Sequence, residues 1–122
     1  MIGYATIGAN DLERARAFYD AVLAALGGRR TLTYERSQYG GPDRGAMLGV
    51  VLPFDGQAAT SGNGTMVALS ASSAAVVDQA HAAALAAGGR CEGPPGRRMD
   101  TFYGAYFRDL DGNKLCVFYT GR

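Results

Sequence analysis

The sequence predicts an α+β fold built from two βαβββ modules. Strand-like segments and one amphipathic helix occur in the same order twice within 122 residues. A polar, Gly-rich stretch without periodicity separates the two halves, as expected of an internal connection. Two short segments also resemble each other, AVLAALGGR at 21–29 and AAALAAGGR at 82–90, and each follows a strand and precedes another. The repeated order of elements therefore indicates paired modules.

A chain of this length can bury one core but not two independent ones. We therefore expect one domain over residues 1–122. Module 1 covers about residues 1–55, the linker about 54–64, and module 2 about 64–120.

The first module begins with the alternating segment IGYATIGA at 2–9, which predicts a strand. Asn10 is a favourable N-cap for a helix from about Asp11 to Leu26, where apolar residues recur at helical spacing. Two further strands are predicted in RRTLTYERSQ at 29–38 and AMLGVVLP at 46–53.

The second module repeats this order after the linker. TMVALSA at 65–71 predicts a strand, and Ser72 or Ser73 could cap the helix that follows. The last strands are predicted in RRMDTFYGAYFRD and NKLCVFYT, joined by the turn DLDG at 109–112.

The Pro- and Gly-rich segment GGRCEGPPGRRMDTFYG at 88–104 reads as a loop beside the last strands. Arg97 and Arg98 within it could present cations to an anionic ligand, as a lid would. Alternatively, Arg97 and Arg98 are surface residues that contact only solvent.

Composition excludes several classes of partner. Twelve Lys and Arg balance eleven Asp and Glu, for a net charge of +1, so we expect no nucleic-acid or anionic-membrane partner. The start of the chain lacks a leader-like pattern and no stretch is long enough to span a membrane, so we expect a cytoplasmic protein. Cys91 and Cys116 are then expected to be free thiols.

Two segments carry a resemblance to a known family: DLERARAFYDAVLAALGG after the first strand and FYGAYFRDLDGNKL near the end. With the repeated module, they resemble the vicinal oxygen chelate superfamily of glyoxalases, bleomycin-resistance proteins and extradiol dioxygenases. The resemblance implies two modules packed edge to edge, helices on the outer sheet faces, and an open curved-sheet cleft that is usually completed in a homodimer. Functions in this family vary, so the fold does not name a substrate.

Metal-dependent members of the family hold a divalent ion on the cleft floor with His and Glu side chains. The resemblance places those positions at Tyr4, Met66 and Cys116, and a fourth near Leu48 or Val50. None supplies an imidazole or a carboxylate, so we expect no metal cofactor. Instead, we expect Tyr4, Met66 and Cys116 to converge in a cleft that binds an unknown small molecule. The predicted ligand-binding residues are Tyr4, Leu48, Val50, Met66, Arg98, Cys116 and Phe118.

Other functions remain open from the sequence. The chain could be a metal-dependent lyase, isomerase or dioxygenase with displaced ligands for Zn, Ni, Fe or Mn, or an antibiotic-sequestering resistance protein. Met66 and Cys116 are soft donors that could hold Cu(I). His81, in the second helix, is expected to be a surface or boundary residue, with a catalytic role as the alternative.

Overall fold

The computed structural model describes residues 1–33, 36–43 and 45–121. Those residues form eight strands and two helices. In chain order they are β1 (Tyr4–Gly8), α1 (Leu12–Ala25), β2 (Arg29–Thr33), β3 (Arg36–Gly40), β4 (Met47–Val51), β5 (Val67–Ser70), α2 (Ala74–Ala86), β6 (Arg90–Met99), β7 (Phe102–Arg108) and β8 (Lys114–Tyr119).

The strands form two four-stranded sheets with the same topology. The first sheet has the order β1-β4-β3-β2 and the second β5-β8-β7-β6. In each sheet the first strand of the module pairs in parallel with the last, and the other pairs are antiparallel. The predicted α+β fold of two βαβββ modules is therefore confirmed.

Polar caps begin both helices. The Asp11 carboxylate accepts a hydrogen bond from the Arg14 amide at 3.1 Å, so Asp11 and not Asn10 is the N-cap of α1. The Ser73 hydroxyl caps α2 by accepting from the Val76 amide at 3.2 Å. Among the described residues, neither helix is long and apolar enough to cross a membrane.

The helices cover one face of each sheet, as expected, and they also pack against each other. They share one apolar core with one face of each sheet, and Phe18 of α1 lies 6.2 Å from Phe107 of β7 between ring centroids. Small side chains on α2 allow this close approach, because Ala80 and Ala84 are fully buried there. The two helices therefore lie at the centre of the folded protein.

This packing buries His81, so its expected place at the surface is wrong. Only 6 % of the residue is exposed, and the ring lies edge-on to Phe107. Its Nε2 atom has no hydrogen-bond partner among the described residues. Burial lowers the pKa of His81 below its ordinary value, which favours the neutral ring.

Two segments fold differently from their local sequence signals. Residues 29–38 were expected to form one strand, but β2 ends at Thr33 and β3 begins at Arg36; Tyr34 and Glu35 lie outside the described residues. The expected loop at 88–104 instead contains β6, the edge strand of its sheet, whose pairing with β7 is interrupted by three register shifts. Pro94 and Pro95 fit there because an edge strand with bulges tolerates missing donors.

Strand alternation gives each sheet two distinct faces. The inner face contributes to the core with residues such as Ile7, Leu48, Phe107 and Leu115. The other face carries the alternate side chains of each strand, which point away from the helices. We call it the outer face. Candidate ligand-binding residues on the outer faces are therefore separate from the core.

One buried carboxylate joins the two modules. Asp109, at the end of β7, is 7 % exposed and accepts hydrogen bonds from the Asp111 and Asn113 amides, each at 2.9 Å. Its second oxygen accepts from the Tyr19 hydroxyl of α1 at 2.5 Å and from the Asn113 side chain at 2.9 Å. Asn113 in turn donates to the Gly8 carbonyl of β1 at 2.8 Å.

We expect Asp109→Ala to lower the free energy of unfolding by about 3 kcal/mol, because it leaves the buried Tyr19 hydroxyl and Asn113 amide unpaired. Urea denaturation followed by circular dichroism measures the change. Asp55→Ala is the control, since Asp55 is exposed and its carboxylate accepts a local turn hydrogen bond from the Gln57 amide. Equal effects of the two substitutions would contradict the proposed role of Asp109.

Candidate functional site

The outer face of the first sheet borders a pocket of about 680 Å³. Tyr4 and Thr6 of β1 lie on this face, paired with Met47 and Gly49 of β4. The Arg36 guanidinium lies 6.0 Å from the centroid of the Tyr4 ring, within cation–π range. The residues that line the pocket are Thr6, Gly8, Arg36, Val51, Leu52, Pro53, Phe54, Asp55, Ala58, Ala59 and Thr60.

The outer face of the second sheet combines aromatic rings with a thiol. Register places Tyr106 beside Cys116 and Gly104 beside Phe118. The Phe118 ring stacks on Phe102 at 5.5 Å between centroids with an interplanar angle of 6°. Gly104 makes room for Phe102, because a Cβ at residue 104 would lie 2.7 Å from that ring.

Cys116 is a buried thiol on this outer face. Its strand neighbours Leu115 and Val117 belong to the core cluster around the helices, whereas Cys116 is buried on the other face of the sheet, with 1 % of it exposed. Burial raises its pKa, and the nearby Tyr106 hydroxyl and the charges of Arg98 and Lys114 act in the opposite direction. The thiol is therefore held in its neutral form and packs as a small apolar group.

Cations surround Tyr106. The Arg98 guanidinium carbon lies 5.5 Å from the centroid of this ring, and the Lys114 ammonium lies 5.6 Å from it. Arg108 is bound to Glu92 at 2.6 Å, and this hydrogen bond lowers the pKa of Glu92. The outer face of the second sheet is therefore positively charged.

The structure places the predicted residues Leu48 and Val50 in the core. They are 4 % and 1 % exposed, and they face the helices. The register with β1 puts Met47 and Gly49 on the outer face instead. The sequence estimate of this position was off by one residue, and in a strand one residue reverses the face.

One chain does not bring Tyr4 together with Cys116. Tyr4 lies in the first sheet and Cys116 in the second, and no Cα atom of β1 lies within 8 Å of one in β5 or β8. The expected convergence of Tyr4, Met66 and Cys116 therefore does not occur within a single chain. Tyr4 and Met66 are 54 % and 43 % exposed, whereas Cys116 is buried.

The donor atoms at these positions do not fit a divalent ion. Tyr4, Met66 and Cys116 offer a phenol, a thioether and a thiol with a raised pKa, whereas Zn, Ni, Fe and Mn favour imidazole and carboxylate donors. Within residues 1–33, 36–43 and 45–121, no group of three or more His, Cys, Asp or Glu side chains is placed to hold a metal.

An apolar groove of about 620 Å³ separates the modules. We call it the inter-module groove. The strand β5 is an edge strand, paired with β8 alone, and residues 66–72 line one side of the groove. Ile2, Ala5, Met47 and the end of α1 line the other side.

Tyr106 and Lys114 lie beside Cys116 on this face, and neither is among the residues predicted from the sequence. Two features of the sequence, strand alternation and the DLDG turn, indicate their position. Lys114 lies two residues before Cys116 in the same strand, so alternation places it on the same face. The DLDG turn then fixes the hairpin register that puts Tyr106 beside Cys116.

The comparisons with known proteins agree with this architecture. Residues 1–117 match the Glyoxalase/Bleomycin resistance protein/Dioxygenase superfamily. The chain belongs to this superfamily. No curated protein sequence matches the chain significantly.

Several solved structures of the superfamily resemble the chain. A glyoxalase/bleomycin resistance protein from Albidiferax ferrireducens T118 is 41 % identical, with 99 % of each chain covered and a TM-score of 0.91. A glyoxalase-related enzyme from Fulvimarina pelagi is 22 % identical over 98 % of this chain and 88 % of its own, with a TM-score of 0.77. TioX from Micromonospora sp. ML1 is 18 % identical over 99 % of both chains, with a TM-score of 0.68. The last two show likeness of fold alone.

We expect the two thiols to differ in reactivity. Cys91 is exposed and Cys116 is buried with a raised pKa, so a disulfide reagent should modify Cys91 at least about 100-fold faster. Absorbance after addition of 5,5′-dithiobis(2-nitrobenzoate) measures both rates. The Cys91→Ser variant isolates Cys116, and a rapid reaction of that variant would show that Cys116 is accessible.

Proposed function

We propose that this member of the superfamily binds a small molecule in a cleft that works without a divalent metal. The observation that supports the proposal is the donor set at the positions where the resemblance places the family's ligands: Tyr4, Met66 and Cys116 stand there and offer neither an imidazole nor a carboxylate. Apolar and aromatic side chains at such a site favour contact with an organic ligand over an ion. The whole chain then acts as one cytoplasmic domain of two modules.

We further propose that a second copy of the chain completes the cleft. The strands that carry Tyr4 and Cys116 lie in separate sheets and do not meet within one chain. In a homodimer, the first sheet of one protomer can face the second sheet of its partner. Each cleft would then combine the Tyr4 side of one chain with the Met66 and Cys116 side of the other.

The inter-module groove supports association between copies. Its apolar wall includes an unpaired strand edge, which proteins usually cover. Exposed apolar side chains lie near it, among them Ile2 at 65 % and Met66 at 43 %. A net charge of +1 imposes little repulsion between two copies.

We expect the protein, purified without chelator, to contain far less than one Zn, Ni, Fe or Mn ion per chain. The triple variant Tyr4→His, Met66→His and Cys116→Glu should bind Zn or Ni stoichiometrically, because it restores hard and borderline donors. Elemental analysis and metal titration calorimetry measure both, and circular dichroism checks that the variant folds. Stoichiometric metal in the unaltered protein would overturn the proposal.

We expect light scattering to give twice the chain mass of 12.7 kDa at micromolar concentration. Met66→Glu should weaken the dimer at least about tenfold, because a carboxylate would be buried in an apolar contact. Leu85→Glu is the matched control, since Leu85 is similarly exposed at 39 % but lies on α2. A monomeric mass for the unaltered protein would contradict the dimer.

A further inference from the structure

The second sheet carries two cations, Arg98 and Lys114, on the same outer face as the Glu92 carboxylate, whose pKa the charge of Lys114 helps to lower. Among the described residues, neither Arg98 nor Lys114 forms an ion pair. Arg98 donates one hydrogen bond, from Nη2 to the Pro94 carbonyl at 2.7 Å, and its other N–H groups remain available. Lys114 contacts the Tyr106 ring. The carboxylate of Glu92 is already bound to Arg108.

The two cations approach Tyr106 from neighbouring strands. Gly93 of β6 and Cys116 of β8 flank Tyr106 in the sheet, so Arg98 reaches the ring from the β6 side and Lys114 from the β8 side. Both charges lie within 6 Å of the ring centroid. Such an arrangement holds two positive charges near one aromatic ring. Both charges also act on the neighbouring Cys116 thiol, where they oppose the rise in pKa that burial causes. An anion placed here would therefore gain from both.

Glycines clear the space in which Arg98 lies. A Cβ at Gly96 would lie 2.9 Å from Arg98 Nη1, and a Cβ at Gly93 would lie 2.9 Å from Tyr106 and 3.3 Å from Arg98 Nη2. The guanidinium therefore rests close to the backbone of β6 beside Tyr106. This position of the guanidinium depends on the β-bulges and glycines of β6, so the structure of the strand itself holds Arg98 there.

An apolar platform adjoins the cations. Phe118 and Phe102 stack on the same outer face, one step along β8 from Cys116. The neutral Cys116 thiol lies buried between this aromatic pair and Lys114. A planar ligand could therefore contact the rings while its charged end meets Arg98 and Lys114.

We propose that the outer face of the second sheet binds an aromatic carboxylate, with the carboxylate at Arg98 and Lys114 and the ring against Phe118 and Phe102. The proposal rests on the proposed small-molecule function and names its ligand class. The positive charges of Arg98 and Lys114 disfavour cationic ligands. The stacked rings of Phe102 and Phe118 favour an aromatic ligand over a small inorganic anion, which cannot contact them. Binding involves no covalent step, because the Cys116 thiol is neutral and buried.

Isothermal titration calorimetry of the full chain with three naphthyl probes tests this proposal. The probes are 2-naphthoate, the neutral 2-naphthalenemethanol and the cationic 2-naphthylmethylammonium. We expect 2-naphthoate to bind about tenfold or more tighter than the alcohol, because a charge-assisted contact is added. We expect the cation to bind weakest, and added salt to reduce the difference.

Variants assign the binding to this face. Arg98→Met and Lys114→Met should each weaken 2-naphthoate binding about tenfold and leave binding of the alcohol within about twofold. Arg98→Lys should retain most of the affinity because it keeps the charge. Arg29→Met is the matched control: Arg29 is exposed on β2 of the first sheet, so its loss should leave 2-naphthoate binding unchanged.

Equal binding of 2-naphthoate and the alcohol, or no effect of Arg98→Met and Lys114→Met, would overturn the inference. Absence of binding by 2-naphthoate at millimolar concentration would also overturn it. Each of these results leaves the metal-free function standing, because that function is tested by metal content. Stoichiometric metal in the purified protein would instead overturn the function while leaving the probe results interpretable.

Discussion

The buried carboxylate of Asp109 is the constraint on which the arrangement of the chain depends. A buried charge is tolerable only when its oxygens are fully hydrogen-bonded, and Asp109 meets this condition with donors from its own turn and from α1. Because Tyr19 belongs to the first module, the closing turn of the second module cannot form its full set of bonds alone. The same turn sets the register of β7 against β8, and so the neighbours of Cys116.

The two faces of each sheet have different roles. The inner faces and the helices form one apolar core, which leaves little freedom for residues such as Leu48 and Val50. The outer faces contribute little to that core, so their side chains can vary with function. A phenol, a thiol, two cations beside an aromatic ring, and a pair of stacked rings lie there. This division explains how a superfamily can keep its fold while its ligand positions change chemistry.

Regular periodicity made most of the fold predictable from the sequence. Alternation and caps identified the repeated modules and both helices, and the DLDG turn identified the closing hairpin. The strand β6 was missed because Pro94 and Pro95 are local loop signals that an edge position overrides. The burial of His81 depends on how α2 packs on β7, which helical periodicity does not specify. For Leu48 and Val50, a register error of one residue was enough to reverse the face.

The parallel pairing of β1 with β4, and of β5 with β8, has a kinetic consequence. The opening strand of each module has its hydrogen-bonding partner at the far end of that module. During synthesis, β5 must therefore remain without this partner until β8 has left the ribosome, whereas the β7–β8 hairpin can close as soon as β8 emerges. Removal of β8 by a premature stop would strip β5 of its backbone partner and expose both edges of a lone strand to aggregation.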